Sequence, residues 1–188
     1  MQIVKNRKRK ILTGKFFNRP TVLVAEELLG KYLVRKYSGC EYAYTITEVE
    51  AYDGFKDRGS HASRGITKRN FPMYGVGGYW YVYFTYGMHW MLNIVTERKY
   101  YPAAVLIRGL EGISGPGRVT KKMHVDGKQN NKPAAPESSL WIEDRGSKIN
   151  KKFIKRKARI GIDYAGTYWA RRKWRIHIDP QYFKEKSG

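Results

Sequence analysis

The stretch "YWYVYFTYGMHWMLNIV", residues 79–95, reads as two strands that meet near Tyr86-Gly87. Aromatic and β-branched residues fit a pleated, half-buried surface, and Gly87 supplies the turn. Two runs joined so closely pair antiparallel, which sets the class of the fold. Period 2 sends Trp80, Val82 and Phe84 to one face as core, and presents Tyr86 at the hairpin tip. Tyr83, Tyr86 and His89 carry polar groups that a core must satisfy with hydrogen bonds, so packing alone does not account for this stretch.

Other strands follow on either side. "AAVLIR" (103–108) reads as the next strand, and upstream "YLVRKY" (32–37), a turn at Gly39 and "EYAYTITEVEAY" (41–52) form another antiparallel pair. In that last run, period 2 places Tyr44, Ile46, Glu48, Glu50 and Tyr52 on one face. "LWIE" and "WRIHI" supply short late strands, and "NRPTVLVAEELLGK" a short helix begun by Pro20 and ended by Gly30. Helices mixed with neighbouring antiparallel strands, without βαβ alternation, make the chain α+β. Residues 53–78 form a long glycine-rich loop, a length that marks function or disorder, and "GKQNNKPAAPESS" (127–139) reads as a surface loop.

The 188 residues fit one domain, 1–188, with a basic N-terminal arm over 1–14 that is either a DNA-contacting segment or a solvated tail. Lys and Arg number 37 against 16 Asp and Glu, a formal charge of +21 whose self-repulsion a polyanionic partner offsets. Nucleic acid is the leading candidate, because no amphipathic basic helix with a Leu/Phe face is visible for a membrane surface; ribosomal and RNA-binding proteins share this composition, so charge alone does not decide the function. The single cysteine, Cys40, excludes an internal disulfide and a thiolate zinc cluster, and implies a reducing intracellular setting. His61, His89, His124 and His177 lack ligand spacing, so no metal is expected. The N-terminus has no apolar run long enough for a signal peptide or membrane span.

Three places could carry chemistry. Glu48 and Glu50 sit in a hydrophobic strand that feeds the long loop; they read equally as a salt-bridged pair or as a catalytic carboxylate and its neighbour. "HASRGITKRN" (61–70) is either a solvated basic loop or part of a site. Tyr86 is either a chance tip residue or a wedge suited to entering a base stack.

Taken in order, "TEVEAYDG", "SHASRG", "TKRN", "YVYFTYGMHWMLNIV", "VLIRGLE", "SGPGRVTK", "LWIEDRG" and "ARIGIDYAGTYWARRKWRI" resemble the motifs of the alkyladenine (3-methyladenine, or methylpurine) DNA glycosylases. The resemblance implies a single α+β domain with a curved antiparallel sheet, surrounding helices and an intercalating β-hairpin. It implies an intracellular, monomeric, monofunctional enzyme of cytoplasm and nucleoid, or of the nucleus in a eukaryote. Such an enzyme excises alkylated purines such as 3-methyladenine, and hypoxanthine in some cases, from double-stranded DNA containing damaged bases, with no cofactor, metal or membrane. By the same resemblance Glu50 is the general base, and Tyr52, His61 and Tyr83 hold the flipped base. Asn93 screens bases at the pocket floor, Arg108 serves the active site and the DNA backbone, and Tyr86 intercalates. Departures are Lys68 where the family has proline, Met91 where a small or thiol residue is common, and a divergent segment over 119–139. Two rival readings are a helix-hairpin-helix glycosylase, suggested by "LEGISGPGRVTKK", and a non-catalytic protein binding RNA or DNA by charge and stacking.

Overall fold

Two tight turns, Ser38-Gly39 and Tyr86-Gly87, put consecutive residues at positive φ, 48° and 78° in the first and 51° and 66° in the second. That backbone twist folds one strand onto the next without splaying them. In chain order the structure, a computed structural model describing residues 9–187, carries strand β1 (Lys10–Ile11) and helices α1 (Gly14–Phe17) and α2 (Thr21–Leu28). Strands β2 (Tyr32–Tyr37), β3 (Cys40–Asp53), β4 (Trp80–Thr85), β5 (His89–Val95), β6 (Ala103–Leu110) and β7 (Ile113–Ser114) follow. After helix α3 (Pro116–Lys122) come β8 (Leu140–Asp144), β9 (Ile154–Lys157), α4 (Thr167–Ala170), β10 (Arg175–Ile178) and α5 (Gln181–Ser187). All described pairings are antiparallel, in the order β1-β8-β2-β3-β6-β5-β4, with β10 joining β3 to β9 and β7 joining β6. This is the expected α+β domain. Residues 1–8 of the basic arm lie outside the described residues, while Lys10 and Ile11 pair with Asp144 and Glu143 at the sheet edge.

The core lies between the sheet and α2 and α3, and includes Phe17, Leu28, Val49, Trp80, Ile94, Ile107 and Met123, each fully removed from solvent. Two expectations change. Ile46 packs in the core, whereas Glu50 and Tyr52 line a cleft, so the even-numbered residues of β3 do not share one face. The reason is a pair of register shifts between Ile46 and Val49: Thr47 on β3 and Arg108 on β6 each stand without a partner, and after them Val49 and Ala51 take the core side. Phe84 also falls outside the predicted core, 45% exposed beyond buried Trp80 and Val82 on the same side of β4, with its ring 4.8 Å from that of Trp90. The helix-hairpin-helix reading fails. "LEGISGPGRVTKK" forms the β7 return and α3, a seven-residue helix that packs on β5 and β6.

Among the described residues, no helix is long and apolar enough to cross a membrane. The loop from Gly54 to Tyr79 is ordered by its own polar groups. Asn70, 1% exposed, accepts from Thr67 N at 2.7 Å and donates through Nδ2 to the carbonyls of His61 (3.1 Å) and Gly65 (2.8 Å). Short 3-10 turns at His61–Arg64 and Phe71–Tyr74 flank this clamp.

Candidate active site

The twist of β3 past its bulges carries Glu50 from the hydrophobic layer to the floor of a cleft of about 420 Å³. Its carboxylate is fully buried, with Oε1 accepting from Ile160 N at 2.9 Å and Oε2 from the Tyr52 hydroxyl at 2.9 Å. Burial pushes the Glu50 carboxyl above its ordinary value, while Arg108, the Ile160 N–H and the Tyr52 hydroxyl act against that rise. A carboxylate has about four acceptor sites, so two remain for a water molecule. Glu48 differs. It accepts from Arg175 Nη1 at 3.0 Å and lies 3.4 Å from Arg108 Nε, whereas Glu50 is 3.5 Å from Arg108 Nη1. The unpaired position of Arg108 on β6 lets one guanidinium reach both carboxylates.

Aromatic side chains form the walls. Alternation along β4 turns Tyr81 and Tyr83 away from Trp80 and Val82 and into the cleft, with their rings 5.1 Å apart. The His61 ring meets Tyr83 edge-on at 4.8 Å and its Nδ1 is 2.9 Å from the Tyr81 hydroxyl. Burial, with Arg69 and Arg64 nearby, pushes His61 down to about 4, so it is neutral at neutral pH. Burial also raises Tyr83 to about 12 and holds Tyr52 well above the ordinary phenol value. Arg69 stacks on Tyr83 with its Cζ 4.6 Å from the ring centre, and donates to the Phe84 carbonyl at 3.2 Å.

At the floor, buried Asn93 donates to the Tyr81 carbonyl at 3.1 Å. At the mouth, Tyr86 stands 83% exposed on the hairpin tip, with Met88 beside it at 65%. The structure thus brings all seven sequence-identified residues, Glu50, Tyr52, His61, Tyr83, Tyr86, Asn93 and Arg108, to one cleft. Sequence reasoning gave no role to Tyr81 and Tyr164, and placed Arg69 only in a basic loop that could be part of a site; all three line the cleft. Tyr81 had a signal, its period-2 relation to Tyr83. Arg69 and Tyr164 had none beyond membership of a basic loop and a late motif. Among the described residues, no group of three or more His, Cys, Asp or Glu side chains could hold a metal ion.

A buried carboxylate below neutral aromatic walls, opening between a hairpin tip and basic loops, suits hydrolysis of a bond to a flat, electron-poor ring. Comparison with known proteins agrees. The profile of the family described as methylpurine-DNA glycosylase matches residues 15–114 and 111–181. A protein of Legionella pneumophila strain Paris named "Putative 3-methyladenine DNA glycosylase" is 41% identical over 186 residues, covering 95% of this chain and 100% of the relative. Proteins of the same name from Methanocella arvoryzae and Wolbachia pipientis wMel are similar too. The first is 41% identical over 187 residues (89% of this chain, 92% of the relative), and the second 48% over 129 residues (65% and 69%).

Proposed function

This chain belongs to the methylpurine-DNA glycosylase family, and from that premise we propose that it extrudes an alkylated purine such as 3-methyladenine from duplex DNA and hydrolyses its N-glycosidic bond, leaving an abasic site. The enzyme is a monofunctional DNA N-glycosylase, a hydrolase. The observation that carries the reading is the Glu50 carboxylate, fully buried beneath Tyr52 and Tyr83 yet hydrogen-bonded at only two of its acceptor sites.

In this mechanism Tyr86 fills the gap left in the stack, and the extruded base enters between Tyr52, Tyr83 and His61. Glu50 takes a proton from water as the water attacks the anomeric carbon, and its negative charge stabilises the oxocarbenium-like sugar. Arg108 favours the charged form of Glu50 against the effect of burial and stays in place through Glu48. Asn93 faces the edge of the base and restricts which purines fit. An alkylated, cationic purine departs as a neutral base and stacks well on electron-rich rings. A neutral lesion such as hypoxanthine needs a proton on departure. Tyr52 and Tyr83 hold theirs too tightly and His61 is already neutral, so the pocket favours cationic purines over hypoxanthine. The chain acts as a monomer on double-stranded DNA.

The test is single-turnover release of 7-methylguanine and of hypoxanthine from defined duplexes. Release of the cationic base, much faster than that of hypoxanthine, is expected. Tight duplex binding without release of either base would leave a nucleic-acid-binding protein in place of an enzyme.

A further inference from the structure

Behind the cleft wall, and outside the residues given a role above, lies a buried ion pair. Arg159 donates to Asp57 through Nη1 at 2.5 Å and Nη2 at 2.7 Å, and both side chains are fully buried. Nη1 also reaches the Ala51 carbonyl at 2.8 Å. Asp57 in turn accepts from the backbone N–H of Asp53 at 3.2 Å and of Gly59 at 3.0 Å. The chain passes so close at Gly59 that a Cβ there would lie 2.9 Å from Arg159 Nη2. The guanidinium is sandwiched between two rings, with Cζ 4.8 Å from the Tyr52 ring centre and 5.1 Å from that of Trp174.

This is a poor arrangement if stability were its purpose. A buried ion pair regains its desolvation cost only with full hydrogen bonding, and among the described residues Arg159 Nε has no acceptor. It is a good arrangement for fixing geometry. One planar fork joins the backbone between Tyr52 and Glu50 at Ala51, the loop at 53–59, and the segment whose next residue, Ile160, donates its N–H to Glu50.

We propose that Arg159, locked by Asp57, is a positioning residue that holds Tyr52 in the face it presents to the extruded base and aims the Ile160 N–H at the Glu50 carboxylate. The inference rests on the reading of Glu50 as base and Tyr52 as base-stacking wall. The Arg159 side chain is buried and does not line the cleft, so it acts through those two groups.

The test uses the full chain and two variants. In Asp57→Asn/Arg159→Gln both charges go together, so no unpaired charge is left buried. Arg159→Lys keeps the charge but loses the fork. Single-turnover release of 7-methylguanine from duplex DNA is measured against pH, and the Glu50 carboxyl is titrated by 13C NMR in the protein without DNA. Glu50 faces Arg108 from β6, Tyr83 from β4, Tyr52 on its own strand, and Arg159 with the Ile160 N–H; Arg175 on β10 is engaged by Glu48. The Arg159 charge and the Ile160 N–H both hold the carboxyl down. The double variant should therefore show an acid limb and a Glu50 titration at higher pH. Its rate should fall on the order of 10²-fold, the scale of a misplacement of about an ångström. The Arg159→Lys variant should lose rate with a smaller displacement of the limb. A folded double variant with the wild-type Glu50 titration overturns the proposal, as does one that no longer folds, since the pair would then serve stability. Wild-type protein that leaves 7-methylguanine in place refutes the catalytic reading instead, and the NMR titration still judges the positioning.

Discussion

Replacing Glu50 by glutamine isolates the charge from the shape of the site. The amide oxygen can still accept the Ile160 N–H at the 2.9 Å position, and the Tyr52 hydroxyl can rotate to accept from the new NH₂. Arg108 keeps Glu48 at 3.4 Å and Arg159 keeps Asp57, so neither cation is stranded. Binding and folding are therefore retained while the proton acceptor disappears. General-base catalysis is worth about 10²–10⁴-fold, or roughly 3–5 kcal/mol of barrier at about 1.4 kcal/mol per tenfold. Single-turnover excision of 7-methylguanine should fall by that factor, with thermal unfolding and affinity for an abasic duplex close to wild type. The parallel Glu48→Gln variant loses an anchor for Arg108 and Arg175 and should lose less. In wild type the rate should fall on the acid side with a midpoint above the ordinary glutamate value of 4.5, since burial outweighs the cations and donors that oppose it. A folded Glu50→Gln protein that excises at a near-normal rate refutes the reasoning, and collapse in the Glu48 variant alone moves the base to Glu48.

Three further outcomes are expected. His61, at about 4 in the fold against 6.5 in the unfolded chain, resists a proton that the unfolded chain accepts; its contribution to stability is complete above pH 6.5 and is lost progressively from there down to about 4. Urea midpoints of wild type and His61→Gln should therefore diverge less at acid pH than at neutral pH, and a constant gap contradicts the assignment. Asn70→Ala strands backbone groups of His61, Gly65 and Thr67 and should cost about 1–3 kcal/mol by urea denaturation; a change within measurement error would mean the loop is held by other contacts. Tyr86→Ala, at an 83% exposed position, should leave stability within about 0.5 kcal/mol but weaken binding to a lesion duplex and slow excision, because unstacking costs a few kcal/mol that the wedge offsets. Wild-type excision by that variant removes Tyr86 from the mechanism.

The hairpins, the long strands themselves and the first long helix were legible because their signals are local; the sheet order, which sets β6 beside β3, was not. Gly39 and Gly87 supply turns, and β-branched and aromatic runs flank them. The swap of faces along β3 was not legible. The alternating row Tyr44, Ile46, Glu48, Glu50, Tyr52 continues unbroken in the sequence, and only pairing with β6 reveals that Thr47 and Arg108 each stand outside the ladder. Phe84 misled for a related reason: alternation gives a side but not where the core ends, and the core ends at Val82. The Asp57–Arg159 pair had no sequence signal at all. Its members are 102 residues apart, one in a glycine-rich loop and one in a basic run where a single arginine does not stand out.

The same bulges bear on the choice the sequence left open between two glutamates. Had β3 kept a regular ladder, Glu48 and Glu50 would have met one environment and differed only in distance from the cleft. With Arg108 outside the ladder, Glu48 falls between two guanidiniums, Arg175 at 3.0 Å and Arg108 at 3.4 Å. A carboxylate so engaged has its oxygen directed at two guanidiniums and not at a water in the cleft. Glu50 is fully buried, with two hydrogen-bond donors and its nearest cation, Arg108, at 3.5 Å, so desolvation raises its basicity while Arg108 and Arg159 oppose that rise. Two identical side chains thus diverge toward an ion-pair anchor and the carboxylate proposed as base, and it is the extra residue on each strand, more than the residue types, that separates them.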